Sequence, residues 1–338
     1  MDSFAPIRRT VFGISPEETK FARRGFPAGE PDTQQHLEAT GGSFIAGYNA
    51  ALSEPRLEEL ARELDELSDV YRGFAYEGAA MALALLDWLT PWNRGRFHKF
   101  CCSPAGNRHW YLLFVGAGWA MARVPWARRN FERAMRRYDP LYGWLALDGY
   151  GFHEGYFYAT RYVEQNKVPP QLSAAALRVF DQGLGRSMWF SHGGDAQRLA
   201  ATVNGFPVAR RKDLWSGVGL GSSYAGGVER GVLVEIRLSA AGYDPQLAQG
   251  AAFAAKARER AGNPVPHTAL ACDVYCGMSA DEAALITDEC LQNLPANQPD
   301  RGEPAYQIWR HRIHKRFTLA QSHGKIMVDA AAHSPTSR

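Results

Sequence analysis

The chain has 338 residues, enough for one large domain or for two domains that share a core. Hydrophobic residues make up 46% and charged residues 22%, as in an ordinary globular protein. The formal net charge of only +3 excludes the strongly basic composition of polyanion-binding proteins, so we predict no nucleic-acid partner.

The cysteines and the apolar runs bear on the compartment. The cysteines lack the paired spacing of a metal site, and the N-terminus lacks the charged-then-apolar pattern of a signal peptide. The longest apolar runs end at Asp87 and Arg123, well short of the roughly 20 residues that span a bilayer. We therefore expect a cytoplasmic protein with free thiols that does not cross a membrane.

The first half is predicted to be mainly helical. Residues 1–50 are predicted to form an arm over the main body, and leucines at three- and four-residue spacing after Glu54 predict a helix. The segment from Gly78 to Leu89 is apolar nearly all round, which indicates a buried helix.

The segment HWYLLFVGAGWAMA at 109–122 has two interpretations. It is either a strand followed by a phosphate-binding turn or a helix that packs closely through small residues. Met121 replaces the third glycine of a dinucleotide-binding motif, and no β-α-β pattern surrounds it. The second interpretation is favoured, and it places four glycines at helix contacts: Gly116, Gly118, Gly217 and Gly219.

The second half is also predicted to be helical, with one strand signal. The segment from Leu141 to Gln165 predicts a long helix interrupted at Gly149–Gly151, and the prolines at 169–170 mark an internal boundary. The best strand signal is Gly231 to Leu238. The segment from Ile308 to Arg316 predicts an exposed basic helix that contacts an acidic partner or the membrane surface.

Two similar segments suggest an internal duplication. RGFAYEG at 72–78 and RSMWFSHG at 186–193 each precede an alanine-rich run and a Gly-x-Gly, and chance similarity is the alternative explanation. The duplication would make Glu77 and His192 equivalent. We predict a mainly α, multi-helix body with few short strands, divided into an N-terminal arm, two pseudo-repeated helical halves and a frayed tail: 1–50, 51–168, 169–320 and 321–338.

Three ionisable residues, Asp148, His153 and Glu154, lie in an otherwise aromatic and apolar segment. Burying such groups unpaired costs several kcal/mol, so they either pair in a closed core or form a site. Zinc and di-iron helix motifs are absent, so we predict no metal ligands and assign no cofactor.

His192 and Asp195 are a second candidate pair. If SHGGDAQRLA is helical, their three-residue spacing places them on one face as an acid-base pair or as two ligands of a metal, whereas Asp195 is alternatively a helix N-cap after two glycines. We expect at least His153 and one of the carboxylates to face a common cavity, and the candidate substrate-binding residues are Phe74, Tyr76, Trp119, Phe152, Tyr156, Trp189, His192 and Tyr224.

Several long motifs carry a family resemblance, among them GFAYEGAAMALALLD, DGYGFHEGYF and GLGRSMWFSHGGDAQRLAATVNGFPVARRKDLWSGVGLGSSYAGG. They resemble the bacterial domain-of-unknown-function family that accompanies enediyne polyketide synthases in actinomycete gene clusters, including the UnbL-type proteins. The family pattern has no histidine at the position of His192, which favours a set of five catalytic candidates: Glu77, Asp148, His153, Glu154 and Asp195.

The resemblance implies a role in building an enediyne core or a related polyunsaturated polyketide, alongside other proteins of the same cassette. Aromatic-rich helices with a few buried polar groups fit a pocket for a long conjugated hydrocarbon. Two hypotheses follow. The protein either modifies or cyclises a polyene-derived intermediate, or it is a noncatalytic protein that shields the intermediate or bridges partner enzymes.

Overall fold

A computed structural model describes residues 5–90, 95–295 and 303–332. Over these residues the chain forms α-helices joined by short turns, and no strand occurs in them. Parts of the predicted linker before Pro304 (residues 296–302) and of the predicted tail (residues 333–338) lie outside the described residues, and residues 321–332 belong to the last helix.

The helices are, in chain order, α1 Ala5–Phe12, α2 Phe21–Arg24, α3 Pro31–Ser53, α4 Leu57–Asp65, α5 Asp69–Leu89, α6 Arg96–Cys102, α7 Pro104–Arg108, α8 Trp110–Arg123, α9 Arg128–Tyr138, α10 Leu145–Phe157, α11 Ala174–Ser191, α12 Ala196–Asn204, α13 Val208–Ala225, α14 Arg230–Ser239, α15 Asp244–Ala261, α16 Pro266–Cys276, α17 Ala280–Leu291 and α18 Ala305–Ala332.

Seven of them, α3, α5, α8, α10, α11, α13 and α15, form a row in which each packs along the next. Neighbours in this row run in the same direction. In α10 and α11, for example, Asp148 contacts Gln182, and farther along both helices Phe152 packs on Phe190 with ring centroids 5.3 Å apart. The shorter helices and loops between them return the chain to the start of the next long helix.

Glycines set the close spacing within the row. A Cβ atom on Gly183 of α11 would collide with the backbone carbonyl of Asp148 in α10, and one on Gly185 would collide with that of Leu214 in α13. Residues two apart on a helix point to nearly opposite sides, so one Gly-x-Gly serves both neighbours. The four glycines predicted to lie at helix contacts do so, which confirms that prediction: Gly116, Gly118, Gly217 and Gly219.

These glycine contacts recur with a period of 33 or 34 residues, at Gly116, Gly149, Gly183, Gly217 and Gly250. The repeat is therefore one long helix with its return segment, much shorter than half of the chain.

The prediction that Glu77 and His192 are equivalent residues of two duplicated halves is wrong. Glu77 lies in the middle of α5, whereas His192 is the residue that follows the end of α11. The positions equivalent to Glu77 directly precede the glycines of the 33- or 34-residue repeat, and they include Asp148 and Gln182.

The row curls back on itself. The ring of Phe74 in α5 packs on Tyr224 of α13 at 5.1 Å, and Arg258 of α15 donates to the carbonyl of Val70 at the start of α5. At the N-terminal end of the long helices, Trp309 of α18 packs between Phe253 and Tyr142. The interior is closed at that end by α18.

The strand predicted over Gly231 to Leu238 is wrong, because the segment forms α14. Its buried side chains, Leu233 and Ile236, are three residues apart, so a helix buries both against α12 and α16. The strand predicted as one option within 109–122 is also wrong, since Trp110–Arg123 form α8 and His109 is its N-cap. Burial between neighbouring helices overrides the local β-propensity.

Two helix predictions also need correction. Gly149 and Gly151 do not interrupt α10, because each lies against a neighbouring helix, and α10 spans only Leu145–Phe157. The segment from Ile308 to Arg316 is exposed only in part, because His311, Lys315 and Arg316 are exposed whereas Arg310 is fully buried within α18. None of the described helices has the length and apolar character needed to cross a bilayer.

Candidate functional site

A cavity of about 410 Å³ lies toward the C-terminal ends of α8, α10 and α11 and against the middle of α3 and α5. Residues 13–19 form one wall, and they are held on α3 because Asn49 accepts from the Ile14 amide at 3.1 Å and donates to its carbonyl at 2.9 Å. The wall is mainly aromatic: Phe44, Phe74, Trp119, Phe152, Tyr156, Phe157 and Phe190.

The aromatic rings of the cavity pack on one another and hold their positions. Trp119 lies at the centre, with ring centroids 4.5 Å from Phe44 and 4.9 Å from Phe152. Pockets of 300 to 1,000 Å³ with apolar walls and few polar groups are typical of small-molecule sites. The cavity falls at the lower end of that range.

The polar part of the cavity is a cluster of two carboxylates and one arginine. In α11, Nε and Nη2 of Arg186 each lie 2.9 Å from Oδ1 of Asp148. Nη2 also lies 3.5 Å from Oε1 of Glu77. Gln182 donates to the other oxygen of Asp148 at 2.8 Å. All three ionisable groups are at most 5% exposed, so this charge cluster is almost entirely withdrawn from water.

Helices α5, α10 and α11 assemble this cluster because the repeat aligns them. Glu77 and Asp148 each precede a glycine that packs on the preceding helix of the row, and Arg186 follows Gln182, the equivalent residue of α11, by one turn. The guanidinium also stacks over the ring of Phe152 at 4.5 Å, which fixes its plane.

Glu77 is the least satisfied member of the cluster. Its Oε1 accepts from the indole N–H of Trp119 at 3.0 Å, whereas its buried Oε2 has no hydrogen-bond partner. Burial raises the pKa of Glu77 above its usual value, and the Asp148 charge adds to the rise while Arg186 opposes it. The shift favours the protonated form of the carboxyl, and Glu77 is one of the residues that line the cavity.

His153 of α10 lines the same cavity and is 3% exposed. Burial lowers its pKa below the usual value, so the imidazole is favoured in its neutral form. Nδ1 lies 3.3 Å from Oε1 of Glu154 but has no hydrogen-bond partner. A carboxyl that favours its acid form and a histidine that favours its base form thus share one cavity, an arrangement suited to proton transfer.

The structure brings six of the candidate residues together in the cavity wall: Phe74, Glu77, Trp119, Phe152, His153 and Tyr156. Asp148 lies directly behind them, bonded to Arg186. Tyr224 lines a smaller cavity of about 50 Å³ on the other side of Arg186, and its ring contacts Phe74.

The other candidates lie elsewhere. Tyr76 stacks on His109 at 3.9 Å, away from the cavity, and Trp189 donates to the carbonyl of Gly226 at 3.1 Å. Glu154 is buried but is not part of the cavity wall, and its charge raises the pKa of Tyr150 and of Tyr162.

His192 and Asp195 do not lie on one helix face, because the chain between α11 and α12 turns through Gly193 and Gly194, both with positive φ. Asp195 is the N-cap of α12 and accepts from the amide of Arg198 at 3.0 Å, which is the alternative left open by the sequence. His192 lines a surface groove distant from Glu77. Two glycines in the left-handed region are incompatible with a continuous helix.

The sequence interpretation missed Arg186 and the α3 side of the cavity. Arg186 is the one charged residue in GLGRSMWFS, and a charge in an apolar helix was the available signal. Phe44 was assigned to a covering arm because the sequence alone does not show that α3 belongs to the main row. Within the described residues, no group of three or more His, Cys, Asp or Glu side chains gathers as metal ligands would.

One protein family matches this chain: the family described as "Protein of unknown function (DUF1702)" matches residues 3–317. The match includes every helix that contributes to the cavity and the polar cluster. No curated protein and no solved structure matches the chain.

Proposed function

The chain belongs to the DUF1702 family, and we propose that it isomerises or cyclises a long conjugated, polyene-derived molecule held in the aromatic cavity. The observation that carries this proposal is the free Oε2 of Glu77, a buried carboxyl oxygen without a partner at the wall of an apolar cavity. A ligand that fills the cavity therefore meets a carboxylic acid in a setting without competing water.

The charge of the cluster restricts the ligand. Arg186 already faces two carboxylates, Glu77 and Asp148, so the wall around Glu77 has no unpaired positive charge to hold an anionic group, and Arg123 lies at the exposed side of the same cavity. A buried carboxylate or phosphate on the ligand would lie against negative groups without compensation, which is costly. The buried part of the substrate is therefore an uncharged hydrocarbon.

The residues present suffice for a balanced reaction without a cofactor. The Oε2 proton of Glu77 adds to one carbon of the polyene, and the electrons of that double bond form the new C–H bond, leaving a delocalised carbocation. The aromatic rings of the cavity wall stabilise the cation, and the cluster gains a negative charge opposite it. Neutral His153 then removes a proton from another carbon, which restores a double bond.

The proton returns from His153 to Glu77 through solvent between turnovers, so the net reaction is an isomerisation. A ring bond formed at the carbocation stage makes it a cyclisation with the same proton balance. We assign the substrate to the assembly of an enediyne or a related polyunsaturated polyketide on the basis of the sequence resemblance. The expected partners are other proteins of that biosynthetic cassette.

The direct test is to incubate the protein with a linear all-trans conjugated polyene hydrocarbon and to follow its ultraviolet spectrum, since loss of conjugation shifts absorption to shorter wavelength. We expect Glu77→Gln to reduce the rate by about 10²–10⁴-fold with at most a small fall in melting temperature. The matched control is Glu132→Gln on α9, because burial also raises the pKa of Glu132 but it lies outside the cavity.

The noncatalytic alternative gives a different result. A protein that only shields the intermediate binds the polyene but leaves its spectrum unchanged, with cassette partners present or absent. Equal rates for wild type and Glu77→Gln would contradict the proposed proton transfer.

A further inference from the structure

A basic surface lies on α9 and at the end of α8. Four exposed arginines form it: Arg123, Arg129, Arg133 and Arg137. In the part of the chain that the structure describes, none of the four forms a salt bridge. The neighbouring carboxylate, Glu132, is paired with Arg136 at 3.0 Å. We call these four arginines the α9 surface.

An exposed tryptophan lies within the same surface. Trp126, in the turn between α8 and α9, is 77% exposed, the highest value among the large hydrophobic residues found exposed in the structure. Tryptophan is enriched at the membrane interface, where its ring is apolar and its N–H remains hydrated. A large aromatic side chain between unpaired arginines is therefore a signal of contact with another phase or molecule.

The α9 surface meets the cavity at Arg123. Arg123 is both exposed and part of the cavity wall. The charges of Arg123 and Arg128 also act on His153 inside the cavity, which places both guanidinium groups near it. A molecule that enters beside Arg123 therefore passes the basic surface first.

We propose that the α9 surface binds the phosphate headgroups of an anionic lipid bilayer and thereby places the cavity opening against the membrane. Guanidinium groups bind phosphate through paired N–H donors, and basic residues near an anionic leaflet gain binding energy individually. The purpose of this contact rests on the proposed function, since an uncharged polyene is concentrated in the bilayer and scarce in water.

The binding is electrostatic and peripheral. The apolar side of α9, with Phe131 and Met135, is buried in the protein, so the helix cannot insert that side into lipid. Trp126 is left as the apolar anchor of this surface. Such contacts weaken as salt rises because exposed charges are screened.

The test measures sedimentation of the full chain with vesicles that contain no polyene. We expect binding to phosphatidylcholine vesicles with roughly one third phosphatidylglycerol, and little binding to pure phosphatidylcholine. The triple variant R129Q/R133Q/R137Q should bind about a hundredfold more weakly, at about fivefold for each arginine. Trp126→Ala should lower the binding of the wild-type chain by a smaller factor.

The matched control removes three exposed arginines elsewhere: Arg62→Gln, Arg230→Gln and Arg316→Gln. Both triple variants lose three positive charges, so the net charge changes equally. The side chains replaced in the control are also on the surface, at 69%, 58% and 51% exposed. This variant should bind vesicles as the wild type does.

Three outcomes would overturn the proposal: no binding of the wild type to anionic vesicles at low salt, equal binding by the two triple variants, or arginine-dependent binding to an acidic protein without binding to vesicles. Because the assay contains no substrate, none of these outcomes bears on the cavity chemistry.

Discussion

Two buried ion-pair clusters in this protein use the same residue types in different ways. Both oxygens of Asp181 accept from Arg210, with Nε at 2.9 Å from Oδ2, and Arg210 also donates to the carbonyl of Asn166 at 2.9 Å. Glu77, in contrast, shares Arg186 with a second carboxylate and retains one oxygen without a partner. Neither Asp181 nor Arg210 lines the aromatic cavity, whereas Glu77 and Arg186 both line it.

The difference shows how burial alone fails to identify a site. Asp181 and Glu77 are each 1% exposed, and both lie in the row of long helices. What separates them is the number of partners and the adjacent space. A buried carboxyl with both oxygens bonded stabilises the fold, whereas one with a free oxygen at an enclosed space is available for chemistry.

The largest expected effect is a difference in stability between a variant of the Asp181 cluster and a variant of the Glu77 cluster. Asp181→Asn leaves the buried Arg210 without a charged partner and should cost about 3–5 kcal/mol of unfolding free energy. Glu77→Gln should cost about 1 kcal/mol or less, because Arg186 keeps Asp148 as its partner. Urea unfolding of both variants measures the difference, and equal costs would contradict the comparison.

The pH dependence of stability extends the comparison to a histidine outside the cavity. Burial, with a smaller effect of the Arg108 charge, lowers the pKa of His109 to about 3, so it is neutral in the folded state. The unfolded chain takes up this proton below its pKa of about 6.5, and stability is therefore lost as pH falls from 6.5 toward 3. The loss should reach about 3 kcal/mol at pH 4.

His109→Phe should remove this part of the acid sensitivity while leaving polyene conversion unchanged. Unfolding free energies of wild type and variant between pH 7 and pH 4 provide the measurement. The same dependence of unfolding free energy on pH in both proteins would contradict the account, because His109 would then not be held neutral by burial in the folded state.

The smallest expected effect concerns the hydrogen bond from Trp119 to Glu77. The indole N–H favours the ionised carboxylate, so Trp119→Phe should raise the pKa of Glu77 further. Because the reaction needs the acid form, the alkaline limit of the pH–rate profile should move upward by about 0.5–1 pH units. The control is Trp189→Phe, which removes an indole bonded to Gly226 outside the cavity and should leave that limit unchanged.

The helical class could be predicted from the sequence because apolar residues at helical spacing dominate it. The capping box at Ser279, with Glu282 reaching back, begins α17 and has a residue spacing that can be seen in the sequence. The segment that became α14 could not be assigned from local preference, because its burial between α12 and α16 decides its conformation.

The candidate site was predicted in part. Glu77 and His153 stood out because ionisable groups among aromatic residues need partners, and both line the cavity. Arg186 could not be paired with Glu77 from the sequence, since the two are 109 residues apart and meet only through the parallel stacking of the long helices. His192 was misplaced because the turn at Gly193 was taken as helical.

The central claim is that Glu77 holds a proton at its cavity-facing oxygen at neutral pH. Infrared difference spectroscopy between wild type and Glu77→Gln at pH 7 tests it directly, because the carbonyl stretch of a carboxylic acid is well separated from the bands of a carboxylate. Our account predicts a carboxylic acid band in the wild type that shifts in D₂O and is missing from the variant. A difference spectrum that contains only carboxylate bands would contradict it.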